Sequence, residues 1–417
     1  MRLQIPPALH HRQFRLLWLG LMVSIAGSQM QLTAIHWHIR DLSGEPNPLA
    51  LGGIGLARIL PIMLFSLVGG AAADTFDRRR ILFITQSGMA MVALSLALLT
   101  YRGQISIQLI YIFTALQAAL ISFDIPSRQS LIPNLVPARD LPNAFSMTSI
   151  AFNTGAILGP ALAGVVIATW GLGYTYLINA FSFGAVLIAL LLIGPVAQLK
   201  GKHAAKIDIS SVKEGVGFIF KQPIILSTML LDFFATFFAS ANTMMPIVAR
   251  DILGVGEKGY GLLSSAQSIG AVLAGLVFSQ LHKVRRQGTI LLTSVIVFGL
   301  GTIIFGFARS FWAAMTALIV MGASDSVSTI IRNTIRQLQT PDYLRGRMTS
   351  INQIFFQGGP QLGEVEAGIV AQIFSVPIAI VTGGIGCILS VLWVRQHFPQ
   401  IATYNGDEPM RAGVPAE

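Results

Sequence analysis

The chain has 417 residues, of which 53% are hydrophobic and only 11% charged; a soluble protein carries about 25% charged residues, so the composition excludes an ordinary water-soluble domain and points to a bilayer as solvent. The net charge of +10 does not imply nucleic-acid binding, because the cations fall in short loops between apolar runs, where anionic lipid and cytoplasm meet them. A single cysteine, Cys387, excludes internal disulfides and thiolate metal sites.

The polar start, Met1 to Gln13, contains Pro6, Pro7, His10 and His11. The apolar run behind it ends in no small-residue cleavage site, which predicts a retained first helix and not a removable signal peptide. A spanning helix needs about 20 mostly apolar residues. Twelve segments qualify: 14–39, 49–73, 81–100, 105–125, 143–168, 174–195, 224–248, 259–281, 289–307, 311–331, 349–374 and 377–395. Several contain Gly or Pro, so tilts and kinks are expected. The long joining segment 196–223 holds Lys200, Lys202, Lys206, Lys213, Glu214 and Lys221. Val212, Val216, Ile219 and Phe220 recur in it at helical spacing, which predicts a surface amphipathic helix. The expected organisation is a six-helix bundle over 1–195, a cytoplasmic linker over 196–223, a second six-helix bundle over 224–398 and a cytoplasmic tail over 399–417. This is an all-α membrane protein.

With the N-terminus inside, inner segments hold 22 of the 28 Lys and Arg residues, and outer segments hold five: Arg40, Arg102, Arg250, Lys258 and Arg309. One, Arg58, lies within a span. That asymmetry predicts cytoplasmic termini and an even number of spans. The halves also resemble each other. An offset of 204 pairs Arg128 with Arg332, Pro137 with Pro341, Gly155 with Gly359, Gly159 with Gly363 and Gly164 with Gly368. An offset of 208 pairs Asp77-Arg78 with Arg285-Arg286. A parallel 6+6 repeat follows, which places a solute path between the halves near the bilayer midplane.

The strongest local motif closes the second span: Gly70-Ala71-Ala72-Ala73-Asp74-Thr75-Phe76-Asp77-Arg78-Arg79-Arg80. Three arginines after an apolar helix are a topology signal by themselves, but that does not account for Asp74, an acid at the membrane boundary that can face a neighbouring helix N-terminus. The glycine allows a close helix approach. This segment resembles the signature of the major facilitator superfamily. Gly70, Asp74, Arg78 and Arg79 match it, while Thr75 and Asp77 depart from its basic and glycine positions. Asp77 before three arginines, the opening Phe14-Arg15-Leu16-Leu17-Trp18, and Pro126-Ser127-Arg128-Gln129 through Pro137 to Asn143 resemble the branch of bacterial siderophore and macrolide exporters. The resemblance implies two pseudo-symmetric six-helix bundles working by alternating access, with Asp74 and Arg78 in a cytoplasmic gate.

In the fifth span, Gly155-x-x-x-Gly159-Pro160-x-x-Ala163-Gly164 flattens one helix face for tight packing, and Pro160 permits a kink. Ordinary small-residue packing accounts for it physically. It is also similar to the antiporter motif of exporters in this superfamily, with Ala163 in place of a glycine, and so implies efflux. The fourth span has no arginine before Arg128, whereas proton-coupled relatives often carry one midway along this helix.

Charges at bilayer depth cost about 2.5 kcal/mol or more each and are functional candidates by default. They are Arg58, Asp124, Asp232, Asp325, Glu364 and Glu366. Arg58 and Glu366 lie at similar depths, roughly 12–13 Å from the outer ends of their spans at 1.5 Å per residue. Those two helices are neighbours in the resembling fold, which implies an interdomain Arg58–Glu366 pair, with Glu364 as the second choice of partner. Such a pair either breaks during transport or statically satisfies the arginine. Asp124 stands four residues before Arg128 and can pair with it on one face, as a structural pair or, like Glu364 and Glu366, as a proton-coupling candidate. Asp232 and Asp325 have no base three or four residues away. Each is a proton carrier if poorly solvated, or an ionised wall of a wet cavity. His36 and His38, flanking Trp37, are expected at the outer interface. Phe233, Phe234, Phe237 and Phe238 either contact an amphipathic substrate or pack against helices and lipid.

Neither a His-Glu-x-x-His cluster nor a nucleophile elbow nor a phosphate loop occurs, so no enzyme is indicated. The expected function is a proton-coupled exporter of amphipathic small molecules, drugs or siderophores, in the inner membrane. It needs no cofactor beyond the proton gradient. Its partners are a small-molecule substrate, protons and membrane lipid, with no nucleic acid, and it acts as a monomer. Uptake or lysolipid movement on the same fold is the alternative, followed by a non-transport membrane protein.

Overall fold

The computed structural model describes residues 6–196, 216–281, 284–341 and 344–406. Among these residues it contains twelve long helices: α1 (Arg12–Leu42), α2 (Pro48–Thr75), α3 (Arg78–Tyr101), α4 (Ile107–Leu131), α5 (Leu141–Trp170), α6 (Leu172–Ile193), α7 (Pro223–Phe238), α8 (Gly256–Ser279), α9 (Gln287–Phe307), α10 (Phe311–Leu338), α11 (Arg345–Ile373) and α12 (Val376–His397). Eleven of them carry an apolar stretch long enough to cross a membrane. The other, α11, has 29 residues but is made polar by Gln353, Gln357, Gln361, Glu364 and Glu366. Large apolar side chains lie on outward faces: Leu64 is 70% exposed, Phe181 73% and Trp312 74%. Lipid, not water, is the solvent that accommodates so much exposed hydrocarbon.

Most helices overrun their expected ends. α4 continues to Leu131 and α10 to Leu338, because backbone hydrogen bonding persists after the apolar stretch stops. Arg128, Arg332 and Arg336 all sit on these extensions. α7 does the opposite and stops at Phe238, ten residues before the expected end at 248. There the Ser240 hydroxyl donates back to the Thr236 carbonyl and to the Pro360 carbonyl, the latter at 2.9 Å. The chain goes on as a 3₁₀ turn (Ala241–Met244), a helical turn (Met245–Ile247) and a π turn (Val248–Ile252). Pro246 withholds the amide that a continuous helix needs.

The linker is helical over 216–221, and Val212 lies outside the described residues. Its buried face is not the expected one. Phe218 and Ile219 pack on Ile225, Met229, Leu344 and Met348, while Val216 and Phe220 are exposed. Among the described residues, this segment buries two successive residues, Phe218 and Ile219, against α7 and α11.

The contacts divide the chain into two units. Unit 1 is Met1–Pro46, Ala57–Lys206 and Val255–Ser265; unit 2 is Asn47–Leu56, Ile207–Gly254 and Ala266–Glu417. The start of α2 thus belongs to unit 2, and the start of α8 to unit 1. Glycines explain both exchanges, and they follow the sequence repeat. In unit 1, a Cβ on Gly155 would lie 2.7 Å from Ile25 Cγ2, and one on Gly159 2.7 Å from Ala26 O, so α5 packs backbone-close on α1. In unit 2, the equivalent Gly359 and Gly363 approach Phe233 O (3.0 Å) and Phe237 O (2.1 Å) of α7 in the same sense. Further along, Gly164 of α5 meets Gly261 of α8 in unit 1, and its repeat mate Gly368 of α11 meets Gly52 of α2 in unit 2. Side chains hold the α8 segment as well: Ser265 Oγ donates to Ile157 O at 2.7 Å and Tyr260 OH to Thr33 O at 2.9 Å.

Candidate functional site

Unit 2 gathers four charges between α7 and α10, three of them buried. Asp232 projects from α7, and its Oδ1 lies 2.9 Å from Arg332 Nη1. Arg336 Nη1 is 3.8 Å from Asp232 Oδ2. Arg332 also reaches Asp325 Oδ1 at 3.4 Å and donates to Thr329 Oγ1 at 2.8 Å. Arg336 is further held by Asn333 Oδ1 at 2.7 Å and by Asn352 of α11. The Asp232 and Arg332 side chains are each only 2% exposed, whereas that of Asp325 is 50% exposed. On α10, Asp325, Arg332 and Arg336 recur at seven- and four-residue steps, which puts them on one helix face. Asp232 therefore has one arginine at contact distance and a second nearby, and shares the first with Asp325. Neither acid has a base three or four residues away, as expected; the arginine lies seven residues on from Asp325 and on a different helix from Asp232. The available signal was the repeat itself, which matches Arg332 to Arg128.

The charge pairing in this cluster is close but poorly aligned. Among the described residues, neither Asp232 oxygen nor Arg332 Nε is in hydrogen-bond alignment with a partner. The attraction is thus mostly Coulombic, and a proton on either carboxylate would remove part of it. One arginine between two acids, one deep and one half-exposed, is an arrangement able to exchange partners as protonation changes.

The matching cluster in unit 1 is built differently. Asp124 Oδ1 accepts from Arg128 Nη2 at 2.7 Å, the expected pair four residues apart. Its Oδ2 accepts from Gln86 Nε2 at 2.7 Å and Thr85 Oγ1 at 3.1 Å, both on α3. Every oxygen of this acid is saturated, which suits a structural pin between α3 and α4.

The motif after α2 is a brace. Asp77 caps α3 by accepting from Arg79 N at 2.9 Å and Arg80 N at 3.4 Å. Arg78 donates to Ala73 O and to Asn134 Oδ1 beyond α4, and Arg79 donates to Leu190 O of α6. The Asp74 side chain lies outside the described residues. The close helix approach expected at Gly70 occurs one residue earlier. A Cβ on Gly69 would lie 2.1 Å from Ser122 O of α4, whereas one on Gly70 meets nothing within 4 Å. Gly69→Ala is therefore expected to cost about 1–3 kcal/mol by overpacking. Gly70→Ala is expected to stay within about 0.5 kcal/mol. Thermal unfolding of the two purified variants in detergent measures this order.

His36 and His38 are buried. His36 Nδ1 lies 2.8 Å from Leu32 O, and His38 Nδ1 3.0 Å from Tyr176 OH. Trp37 is buried too, its ring centroid 5.0 Å from that of Tyr260. Tyr176 of α6 and Tyr260 of the α8 segment cover them. The polar lining continues inward on α1: Gln31 donates to Gln117, and Asn179 donates to Gln31 Oε1 at 2.8 Å.

The four phenylalanines of α7 pack on one another and on neighbouring helices. Phe233 stacks on Phe237 and meets Phe355 of α11 edge-on; Phe234 stacks on Phe238 and meets Trp393 of α12 edge-on. Glu364 of α11 lies against the start of α2, with its Oε2 3.2 Å from where a Gly55 Cβ would be. Glu366 is half-buried and belongs to unit 2, whereas Arg58 belongs to unit 1.

The family model for transmembrane secretion effectors, one of the major facilitator families, matches residues 6–410. The chain is 27% identical over 374 residues to a staphyloferrin A transporter of Staphylococcus aureus, covering 88% of this chain and 92% of that one. It is 24% identical to the multidrug efflux pump Tap of Mycolicibacterium fortuitum, covering 83% and 86%. Its fold superposes on a crystal structure of a POT family transporter with a TM-score of 0.74 at 13% identity, covering 94% of this chain and 96% of that chain. Twelve long helices, eleven of them apolar enough to cross a membrane, repeat-related glycine crossings and a match over nearly the whole length agree, and the chain belongs to the transmembrane secretion effector family of major facilitator transporters.

Proposed function

We propose that this transporter is a proton-coupled exporter of amphipathic small molecules, drugs or siderophores, working by alternating access in the inner membrane with both termini in the cytoplasm. The observation that carries the coupling is the set of buried Asp232, Arg332 and Arg336 with half-exposed Asp325, which sums to zero charge when both acids are ionised. Placing charge there is costly, so the set persists for a reason. Protonating Asp325 frees one contact of Arg332, and deprotonating it restores that contact. A proton thus biases the α7–α10 contact between two arrangements, which is what coupling to a conformational cycle needs. Similarity to a staphyloferrin A transporter and to a multidrug efflux pump supports an exported, amphipathic cargo. In the same reading Glu364 and Glu366 are further proton-coupling candidates on α11, and Phe233 and Phe237 contact substrate.

Asp325→Asn is the clean test, because it leaves the Asp232–Arg332 pair in place and the folded yield should be unchanged. In inverted vesicles with an imposed pH gradient, dyes, macrolides and ferric-chelating siderophores are offered as cargo. The variant is expected to lose at least tenfold of the gradient-driven flux while keeping downhill exchange. Full gradient-driven flux in the variant, for a cargo that wild type moves, sinks the assignment.

A further inference from the structure

α8, α9 and α10 leave a side-opening groove of about 350 Å³ in unit 2, lined by Ala274, Ile290, Thr293, Val297, Ala323 and Val327 among others. It exists because α8 and α10 present the small residues Ala274, Ala323 and Ser324 to α9, whose Ile290, Thr293 and Val297 form a stripe at positions i, i+3 and i+7. At 1.5 Å per residue that stripe is about 10 Å long. The stripe continues along α9 as Leu300, Ile304 and Phe307, which are 47%, 57% and 66% exposed. The groove therefore runs without a break into a lipid-facing surface.

Its other end is cationic. Arg286 is the N-cap of α9, four residues before Ile290, and takes a left-handed backbone with φ 56° and ψ 43°. That conformation is uncommon for a residue with a side chain. Arg285 and Arg286 are both exposed, and among the described residues neither side chain carries an ion pair or a hydrogen bond. The N-terminal end of the α9 dipole adds to the same positive potential. Two cations at the mouth and hydrocarbon walls behind them match one occupant in both charge and shape.

We propose that this groove is a binding site for an anionic phospholipid, whose phosphate sits on Arg285 and Arg286 and whose acyl chain lies along α9. A zwitterionic lipid offers the same chain but no net charge for the arginines. A second protein would have to bury the arginines against its own acids. The site is independent of which way the transporter moves its cargo.

The test uses the purified protein in phosphatidylcholine nanodiscs doped with phosphatidylglycerol carrying a photoactivatable diazirine on its acyl chain. Labelling is expected to map to residues 287–297 and 323–327 and to exceed that of the matching phosphatidylcholine probe. Removing the charges with Arg285→Gln and Arg286→Gln should weaken labelling about fivefold for each arginine. Ala323→Leu should fill the groove and abolish labelling there with both arginines intact. Each variant's thermal unfolding in plain phosphatidylcholine should equal wild type, which separates lost binding from lost folding. Equal labelling by the two probes, undiminished labelling of the double arginine variant, or labelling spread evenly over the lipid-facing helices would overturn the proposal. So would displacement of the probe by a transported compound, because the groove would then be a cargo site.

Discussion

Arg332→Met is expected to give the largest loss of folded protein of any single substitution in unit 2. It removes the group shared by Asp232 and Asp325 and leaves Asp232 only 2% exposed, its remaining cation 3.8 Å away. Breaking a buried pair by deleting one partner costs about 3–5 kcal/mol, since the surviving charge keeps its desolvation penalty. Replacing both partners avoids that penalty, so Asp232→Leu combined with Arg332→Met should recover most of the stability. The double variant should nonetheless transport without response to an imposed pH gradient. Thermal unfolding in detergent reads the first effect, and vesicle flux the second. If Arg332→Met unfolds at the wild-type temperature, the cluster is not the electrostatic keystone described above. If the double variant stays gradient-driven, coupling resides elsewhere.

The second large effect is steric. A Cβ on Gly164 would stand 2.5 Å from Glu257 O and 2.9 Å from Gly261 Cα; one on Gly261 would stand 2.5 Å from Pro160 O and 2.8 Å from Gly164 Cα. These neighbours are backbone atoms, which cannot rotate away as a flexible side chain can. Gly164→Leu should therefore force α8 off α5 rather than be absorbed locally. Overpacking of this kind costs about 1–3 kcal/mol, and the displaced segment carries Ser265 and Tyr260 with it. Ser265 is 1% exposed. In a Cys387→Ser background, a cysteine introduced by Ser265→Cys should react slowly with a water-soluble maleimide, and at least tenfold faster once Gly164→Leu is added. Transport should fall in parallel. Unchanged reactivity would show that the crossing tolerates a side chain. The repeat predicts the same behaviour for Gly368→Leu against Gly52.

Much of this was legible in the residues alone. Twelve long helices follow the expected segments, eleven of them apolar enough to cross a membrane; their ends shift where backbone hydrogen bonding outlasts the apolar run, and α7 stops early, just before Ser240. The repeat offset of 204 anticipated the packing pairs: Gly155 and Gly159 seat α1, and Gly359 and Gly363 seat α7. The Asp124–Arg128 pair was visible because both ends lie on one helix turn. What could not be seen was any partner on another helix. Asp232 looked isolated because its arginines are about a hundred residues away in sequence. The cover that neighbouring helices give His36, Trp37 and His38 was likewise not visible from spacing.

Sequence by itself determined that this chain lives in a membrane, spans it with two related sets of helices and belongs among major facilitator transporters. Those properties are sums over composition, run length and spacing, which are local and survive without knowledge of packing. Only the tertiary structure decided which charges neutralise each other, which of two adjacent glycines admits a neighbouring backbone, and that segments of α2 and α8 belong with the unit opposite to their position in the chain. Those outcomes depend on atoms from distant segments meeting within about 3 Å, and spacing along one chain carries no record of that.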